Sequence, residues 1–473
     1  MGDNSLVAIE LNDAGVAIAS GADGLAAALG EPSPGFAVLH QGRVLVGAEA
    51  AARHRLSPLH AQNRFWQALG VDRLPWSAGA IATGADLAHA HLSAVLAPAV
   101  RDGAVEALCA VPPGYGREQL GLLVGIVNEC GVTVRGLVDL GLAACTTVPP
   151  APHMLHLDLQ LHQAAATLVE ASRAEGVLRR AHYELLPGAG VLAFHQALAA
   201  AIAATFVHET RFDPLHEAAT EQRLHDRLGE WLAGLRVQQE LPVEMASGGM
   251  TYPVVLQRAR LDAAVERLGG EVLRLVQGSR PAGTLLQVCI TPRVAAVPGL
   301  VERLSSLRDV VVVMLAPAAG AIGAWQGAAS IARAPDAISL VHRLPLQVPA
   351  DAFATVATES SDAVPAEAVP THVLLRSRAW PLTPVPLTLG WSVGSASRAL
   401  TLPAGIAGVS RAHCTLSLRA GQAVVEDHST YGTFVNDERV GGRVALRVGD
   451  VLRLGAPGVT LELIRVVPEH GAA

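Results

Sequence analysis

Two short C-terminal runs bring hydroxyls, a guanidinium and an imidazole together at close spacing. The first is Val409-Ser410-Arg411-Ala412-His413-Cys414, the second Asp427-His428-Ser429-Thr430-Tyr431-Gly432-Thr433-Phe434-Val435-Asn436. Leu446-Arg447-Val448-Gly449-Asp450 and Leu454-Gly455 follow them. Arginine and hydroxyl donors in such loops suit a dianionic phosphate, because charge-assisted hydrogen bonds are the strong ones. Gly432 and Asn436 read as loop-shaping residues, through turn geometry and side-chain-to-backbone bonding. Far upstream, Glu10, Asp139 and Asp158 stand where apolar runs begin or end. Asp139 precedes a small-residue helix start at 141–146, where a carboxylate complements the helix dipole.

The elements that must position these residues follow from periodicity. Residues 6–11 form an apolar run bounded by Asn12-Asp13 and read as a buried strand turning into a second strand at 16–19. Strands at 36–39 and 44–46, a helix at 85–100, a strand at 107–111 stopped by Pro112-Pro113, a helix at 117–130 and a strand at 132–138 follow. Pro149-Pro150 and Pro152 mark a hinge. The pattern then restarts with strands at 154–159, 164–170 and 177–185 and helices at 191–206 and 217–240. A strand at 285–290, a helix at 298–307, a strand at 310–315 and a helix at 319–332 complete it. Hairpin strands followed by α/β alternation, twice in one chain, predict two related α/β lobes with a cleft between them. The stretch before residue 371 has no periodicity and reads as a linker. The expected domains are lobe I at 1–152, lobe II at 153–345, a linker at 346–370 and a β-rich module at 371–470.

Composition narrows the function classes. The chain has 473 residues, with 51% hydrophobic and 16% charged residues, against about 25% charged in ordinary domains. Its net charge of -7 and lack of basic blocks argue against a nucleic-acid footprint. No lysine occurs; every side-chain cation apart from histidine is arginine. Cys109, Cys130, Cys145, Cys289 and Cys414 are scattered without ligand spacing, so free thiols in a reducing compartment are expected, with no metal site and no disulfides. The start Met1-Gly2-Asp3-Asn4-Ser5 lacks the features of a signal peptide, and no apolar run reaches the ~18 residues of a membrane span. A cytoplasmic location without membrane insertion is the expectation.

Taken in order, the C-terminal runs resemble the forkhead-associated (FHA) domain, a small β-sandwich that binds phosphothreonine peptides. The resemblance covers about a fifth of the chain. It implies that Ser410 and Thr430 supply the phosphate-binding hydroxyls, with Arg411 beside Ser410. His413 is implied to brace the loop from inside, and Gly394, Gly432 and Asn436 to shape the backbone. Ser395 stands where the family has its phosphate-binding arginine, and Arg398, three residues on, is the candidate substitute. Tyr431 replaces an asparagine that reads the peptide backbone. One lost charge-assisted contact costs roughly 1.5–3 kcal/mol, so a weakened phosphothreonine site, or one turned to an unphosphorylated partner, is expected.

The front of the chain resembles the actin, sugar-kinase and heat-shock chaperone superfamily, closest to the nucleotide-binding domain of DnaK-type chaperones. The resemblance is carried by Val46-Gly47-Ala48-Glu49-Ala50-Ala51, Ala110-Val111-Pro112-Pro113-Gly114-Tyr115, Gln257-Arg258-Ala259-Arg260-Leu261-Asp262 and Gly327-Ala328-Ala329. It implies an α/β two-lobed, actin-like (ribonuclease-H-like duplicated) body ahead of an all-β FHA sandwich. The nucleotide residues depart from the family. The first phosphate loop, Asp-Leu-Gly-Thr-Thr in the family, is Glu10-Leu11-Asn12-Asp13-Ala14. The second, Asp-Leu-Gly-Gly-Gly-Thr, is Asp158-Leu159-Gln160-Leu161-His162-Gln163. Phosphate loops use glycine so that backbone N–H groups can approach. The adenine loop is reduced to Thr291-Pro292-Arg293, Asp139 stands where the family has a glutamate, and the catalytic lysine is absent, with Arg64 no geometric equivalent.

These departures point to a pseudo-ATPase scaffold with no catalytic residue and no cofactor. Its partner is a protein, Thr-phosphorylated in the FHA reading. An active ATP-dependent chaperone, or an actin-like assembly ATPase regulated by its FHA domain and using ATP and Mg²⁺, is the alternative. The sequence leaves the oligomeric state open.

Overall fold

A computed structural model describes residues 5–22, 25–172, 174–281, 284–331, 338–346, 369–375, 378–393, 398–403, 406–419, 422–456 and 458–464. The chain divides into two compact units, one of residues 1–273 with 286–354 and one of 274–285 with 355–473. Most of the expected linker, 346–370, lies outside the described residues.

The first unit is built on two six-stranded mixed sheets with the same plan. In one, Leu6–Glu10 pairs in parallel with Glu106–Val111, which pairs in parallel with Thr133–Asp139. On its other side, Leu6–Glu10 runs antiparallel to Ala17–Ala22, and that strand to Leu25–Ala28. In the other sheet, His153–Leu159 pairs in parallel with Leu286–Ile290, and that strand with Val310–Met314. Its antiparallel side is Gln163–Ser172 and then Val177–Pro187. Each lobe therefore places its first strand at the point where hairpin pairing gives way to helical crossovers. Loops leaving the carboxyl ends of those two strands, 11–16 and 160–162, lie at the switch points where open α/β sheets offer a crevice.

Small residues bring the lobes into contact. Helices Leu140–Cys145 and Ala319–Gln326 share one core with Ala8, Met154 and Cys289. At Gly323 a Cβ would stand 1.9 Å from the Ala143 carbonyl oxygen, and at Gly141 one would stand 2.7 Å from Thr167 Cβ. Both glycines are there for close approach rather than for turn geometry.

Helix boundaries differ from expectation in places. The helix expected over 217–240 ends at Val237, and Glu240–Ser247 pairs with Met250–Gln257 as a hairpin. Gly248 and Gly249, at φ 58° and 79°, form its turn; two adjacent left-handed residues suit a tight hairpin. The helix expected over 298–307 is limited to Leu300–Ser305. The last expected helix stops at Gln326, before Gly327 and a short 3-10 turn, and its residue 332 lies outside the described residues. Helix Val191–Thr210 is long and apolar enough to cross a membrane, with mean hydropathy 1.6. It instead packs on the 250–257 strand and neighbouring helices, burying Phe194, Leu198, Ile202 and Phe206.

The second unit is a β-sandwich. One sheet orders 378–381, 372–375, 459–464, 451–454, 433–435 and 438–439; the other orders 399–401, 387–390, 414–419, 422–427 and 443–446. Leu389, Leu416, Val425, Leu452 and Leu463 fill the space between them. All five cysteines are free thiols.

Candidate functional site

The crevice between the two lobes is closed by a buried ionic cluster. Glu10, Asn12, Asp158, Gln160 and Thr291 are each no more than 6% exposed. Arg293, at the start of the short helix Pro292–Ala295, reaches into them. Its Nε donates to Asp158 Oδ1 at 3.1 Å, and its Nη2 donates to Asp158 Oδ2 at 2.9 Å and to Glu10 Oε1 at 3.2 Å. Thr291 Oγ1 donates to Asp158 Oδ1 at 2.6 Å, and Asn12 Nδ2 donates to Asp158 Oδ2 at 2.6 Å. Glu10 Oε2 accepts the Gly320 N–H at 2.8 Å. Every carboxylate oxygen of this cluster is thus occupied by a donor from the protein itself.

Electrostatics follow the geometry. Burial works against the charge of Asp158, but the Arg293 guanidinium overrides it and holds the carboxyl below its ordinary value. Burial also works against Arg293, and Asp158 with Glu10 holds it above its ordinary value. Burial pushes Asp13 up to about 6, with no cation bonded to it. Asp13 Oδ1 accepts the Leu161 N–H at 2.7 Å across the lobes, while its Oδ2 has no hydrogen-bond partner among the described residues.

Beside the cluster lies a cavity of about 10 Å³ lined by Leu11, Asn12, Asp13, Trp66, Tyr115 and Gln160. That is about the space of one water molecule and far too small for a nucleotide. Gln160 Oε1 accepts from Gln163 Nε2 at 2.6 Å within the turn that follows strand His153–Leu159. Asp139 caps helix Leu140–Cys145 by accepting the Leu142 N–H at 3.0 Å, and its second oxygen takes Arg180 Nη1 at 2.8 Å. It is fully buried and carries no free oxygen toward a substrate. Arg64 is exposed and bonds Gln67. Asp13 and Leu161 fall inside the two expected phosphate loops, but their bond across the lobes and the buried Trp66–His91 pair carry no signal in the sequence.

In the sandwich, His413 ties the two hydroxyl-bearing loops together. Its Nδ1 accepts the Ser410 N–H at 3.0 Å, which leaves the proton on Nε2, donated to the Gly432 carbonyl at 3.1 Å. Burial lowers the imidazole's pKa, in keeping with this neutral form. Ser410 Oγ accepts the Thr430 N–H at 3.2 Å, so the two loops also meet through the residues that bear the hydroxyls. Asp427 supports the second loop by accepting from Ser429 N at 3.1 Å and Thr433 Oγ1 at 2.6 Å. Gly432 has φ 82°, and a Cβ there would also press on Arg439 and Phe434. Asn436, itself at φ 52°, joins Asp450 and the Val451 N–H.

Toward solvent, the Ser410 hydroxyl keeps its own proton to donate, and Thr430 and Tyr431 are exposed. Arg411 is exposed with its guanidinium carbon 5.5 Å from the Trp391 ring centroid. Two hydroxyls and one aromatic-backed cation can hold a small anion. Gly394 and Ser395 lie outside the described residues. Arg398 does not join the set: it donates to the Pro381 carbonyl at 2.5 Å and the Val385 carbonyl at 3.1 Å, and also bonds Thr383. Three acceptors in one nearby segment hold it better than a solvent-exposed loop would.

No curated protein matches the chain. The family model for the FHA domain matches residues 391–455, the span that holds Trp391, both hydroxyl loops and the glycine turn at Gly455, and the C-terminal module is an FHA domain, a protein-interaction fold.

Proposed function

We propose that this chain is a non-catalytic scaffold: a two-lobed actin-like body, close to DnaK-type nucleotide-binding domains, whose nucleotide cleft is sealed, carrying an FHA reader for a protein partner phosphorylated on threonine. The observation that carries the sealed cleft is Arg293, which bridges Glu10 and Asp158 where a metal-bound phosphate would have to sit. The repeated sheet plan, with a switch point in each lobe, supports the actin-like reading. The half-buried Ser410 hydroxyl and the exposed Thr430 hydroxyl, beside Arg411, support the phosphothreonine reading.

Titration calorimetry with ATP and Mg²⁺ tests the body. Absence of heat and of turnover at millimolar nucleotide is expected, and micromolar binding with hydrolysis would overturn the reading. A phosphothreonine peptide library tests the module. Binding lost on dephosphorylation and on Ser410→Ala is expected; partners held equally well without phosphate would show a purely structural module.

A further inference from the structure

Lobe I holds a second, larger cavity, of about 390 Å³, between helix Gly84–Arg101 and the strand Ala17–Ala22 with the segment after it. Its size falls in the range that accommodates small organic molecules. Its walls are aliphatic, with Ile18, Leu29, Val46 and Val95 among them. The charged groups among the described residues of its lining are two carboxylates, Glu31 and Asp102, and among the described residues no ion pair engages either. The hydroxyl in the wall, Ser33, is held at 2.9 Å by His91 Nε2.

We propose that this cavity is a binding site for a small organic cation with an apolar body, an alkyl- or arylamine. The aliphatic walls remove the body from water, which scales with the area covered. The ammonium stays at the mouth, where the Glu31 and Asp102 carboxylates of the lining are both exposed. An anionic ligand of the same shape meets only like charge there. The site is separate from the sealed cleft and does not depend on the function proposed above.

Ligand-observed NMR titrations of the full chain with n-hexylamine, n-hexanol and hexanoate test this. The expected order is amine, then alcohol, then carboxylate, with the amine about fivefold tighter than the alcohol, as befits exposed charges. Glu31→Gln with Asp102→Asn, both at the exposed rim, should bring the amine down to the alcohol and leave the alcohol unchanged. Val95→Phe, which puts a ring across the aliphatic wall, should weaken all binding, with the melting temperature confirming a folded chain. No saturable amine binding, equal affinity for amine and hexanoate, or amine binding unchanged by Val95→Phe would each overturn the proposal.

Discussion

Arg293 and Asp158 meet as a two-pronged pair, Nε to Oδ1 at 3.1 Å and Nη2 to Oδ2 at 2.9 Å, in the interior of lobe II where it faces lobe I. The planar guanidinium fork matches a carboxylate in this way and an ammonium does not. The same Nη2 also reaches Glu10, so one cation bridges a carboxylate from each lobe.

Removing that cation leaves two buried carboxylates without compensation. Arg293→Ala should therefore destabilise the chain by about 3–5 kcal/mol, the usual cost of breaking one partner from a buried pair. Urea unfolding measures it. The same variant should gain several degrees of melting temperature from millimolar guanidinium, which refills the site, while the parent chain gains none. A variant as stable as the parent would mean that the cluster does not hold the lobes together.

Asp13 behaves oppositely to the paired carboxylates. Its native pKa of about 6 lies above its ordinary 3.8, so the folded state binds the proton more tightly. Its contribution to stability is complete below about pH 3.8 and is lost as pH rises through about 6. Asp13→Asn keeps the acceptor for the Leu161 N–H and removes the charge. It should raise stability by about 1–3 kcal/mol at pH 7.5 and leave stability near pH 4 unchanged. Unfolding curves at the two pH values give the comparison.

Histidines set the opposite slope. His91 accepts the Trp66 indole N–H on Nδ1 at 2.9 Å and is held neutral by burial, with its pKa lowered to about 4. Above about pH 6.5 it is neutral folded or unfolded. As pH falls from 6.5 to 4 only the unfolded chain takes up the proton, and stability drops by up to about 3 kcal/mol. Burial likewise lowers His195 to about 4 and His225 to about 3. Three such groups outweigh the single Asp13, so net stability should fall between pH 6.5 and 4. His91→Gln should flatten that slope by about a third; an unchanged slope would remove His91 from the account.

Much of this architecture is legible in the sequence. Apolar runs bounded by Asn12-Asp13 or Pro112-Pro113 marked the central strands, because a buried strand admits no polar interruption. The 240–257 hairpin was not read, since helix Ala218–Val237 runs into it without a proline or glycine between. The cleft residues Glu10, Asp158 and Arg293 were singled out as departures from a phosphate-binding pattern. Their bonding to one another was invisible, because Glu10 and Arg293 are 283 positions apart and no local periodicity links them. For Arg398, too, spacing points only to Ser395, and packing shows its partners at the Pro381 and Val385 carbonyls.

Ser410 and His413 share one loop but should fail differently. Ser410 Oγ accepts one partly exposed N–H, from Thr430. Its truncation to alanine costs a single solvent-accessible hydrogen bond, about 1 kcal/mol or less of stability. If the proposed phosphothreonine reading holds, alanine also removes a donor to the ligand phosphate, so phosphopeptide affinity should drop about tenfold, the equivalent of a single hydrogen bond to a charged group. His413 is fully buried and joins the Ser410 N–H to the Gly432 carbonyl. His413→Ala orphans both and empties core volume, so it should cost about 2–4 kcal/mol and abolish binding by loosening both loops. Peptide titration beside urea unfolding separates the two. Equal stability losses in the variants would place Ser410 in the scaffold rather than at the ligand.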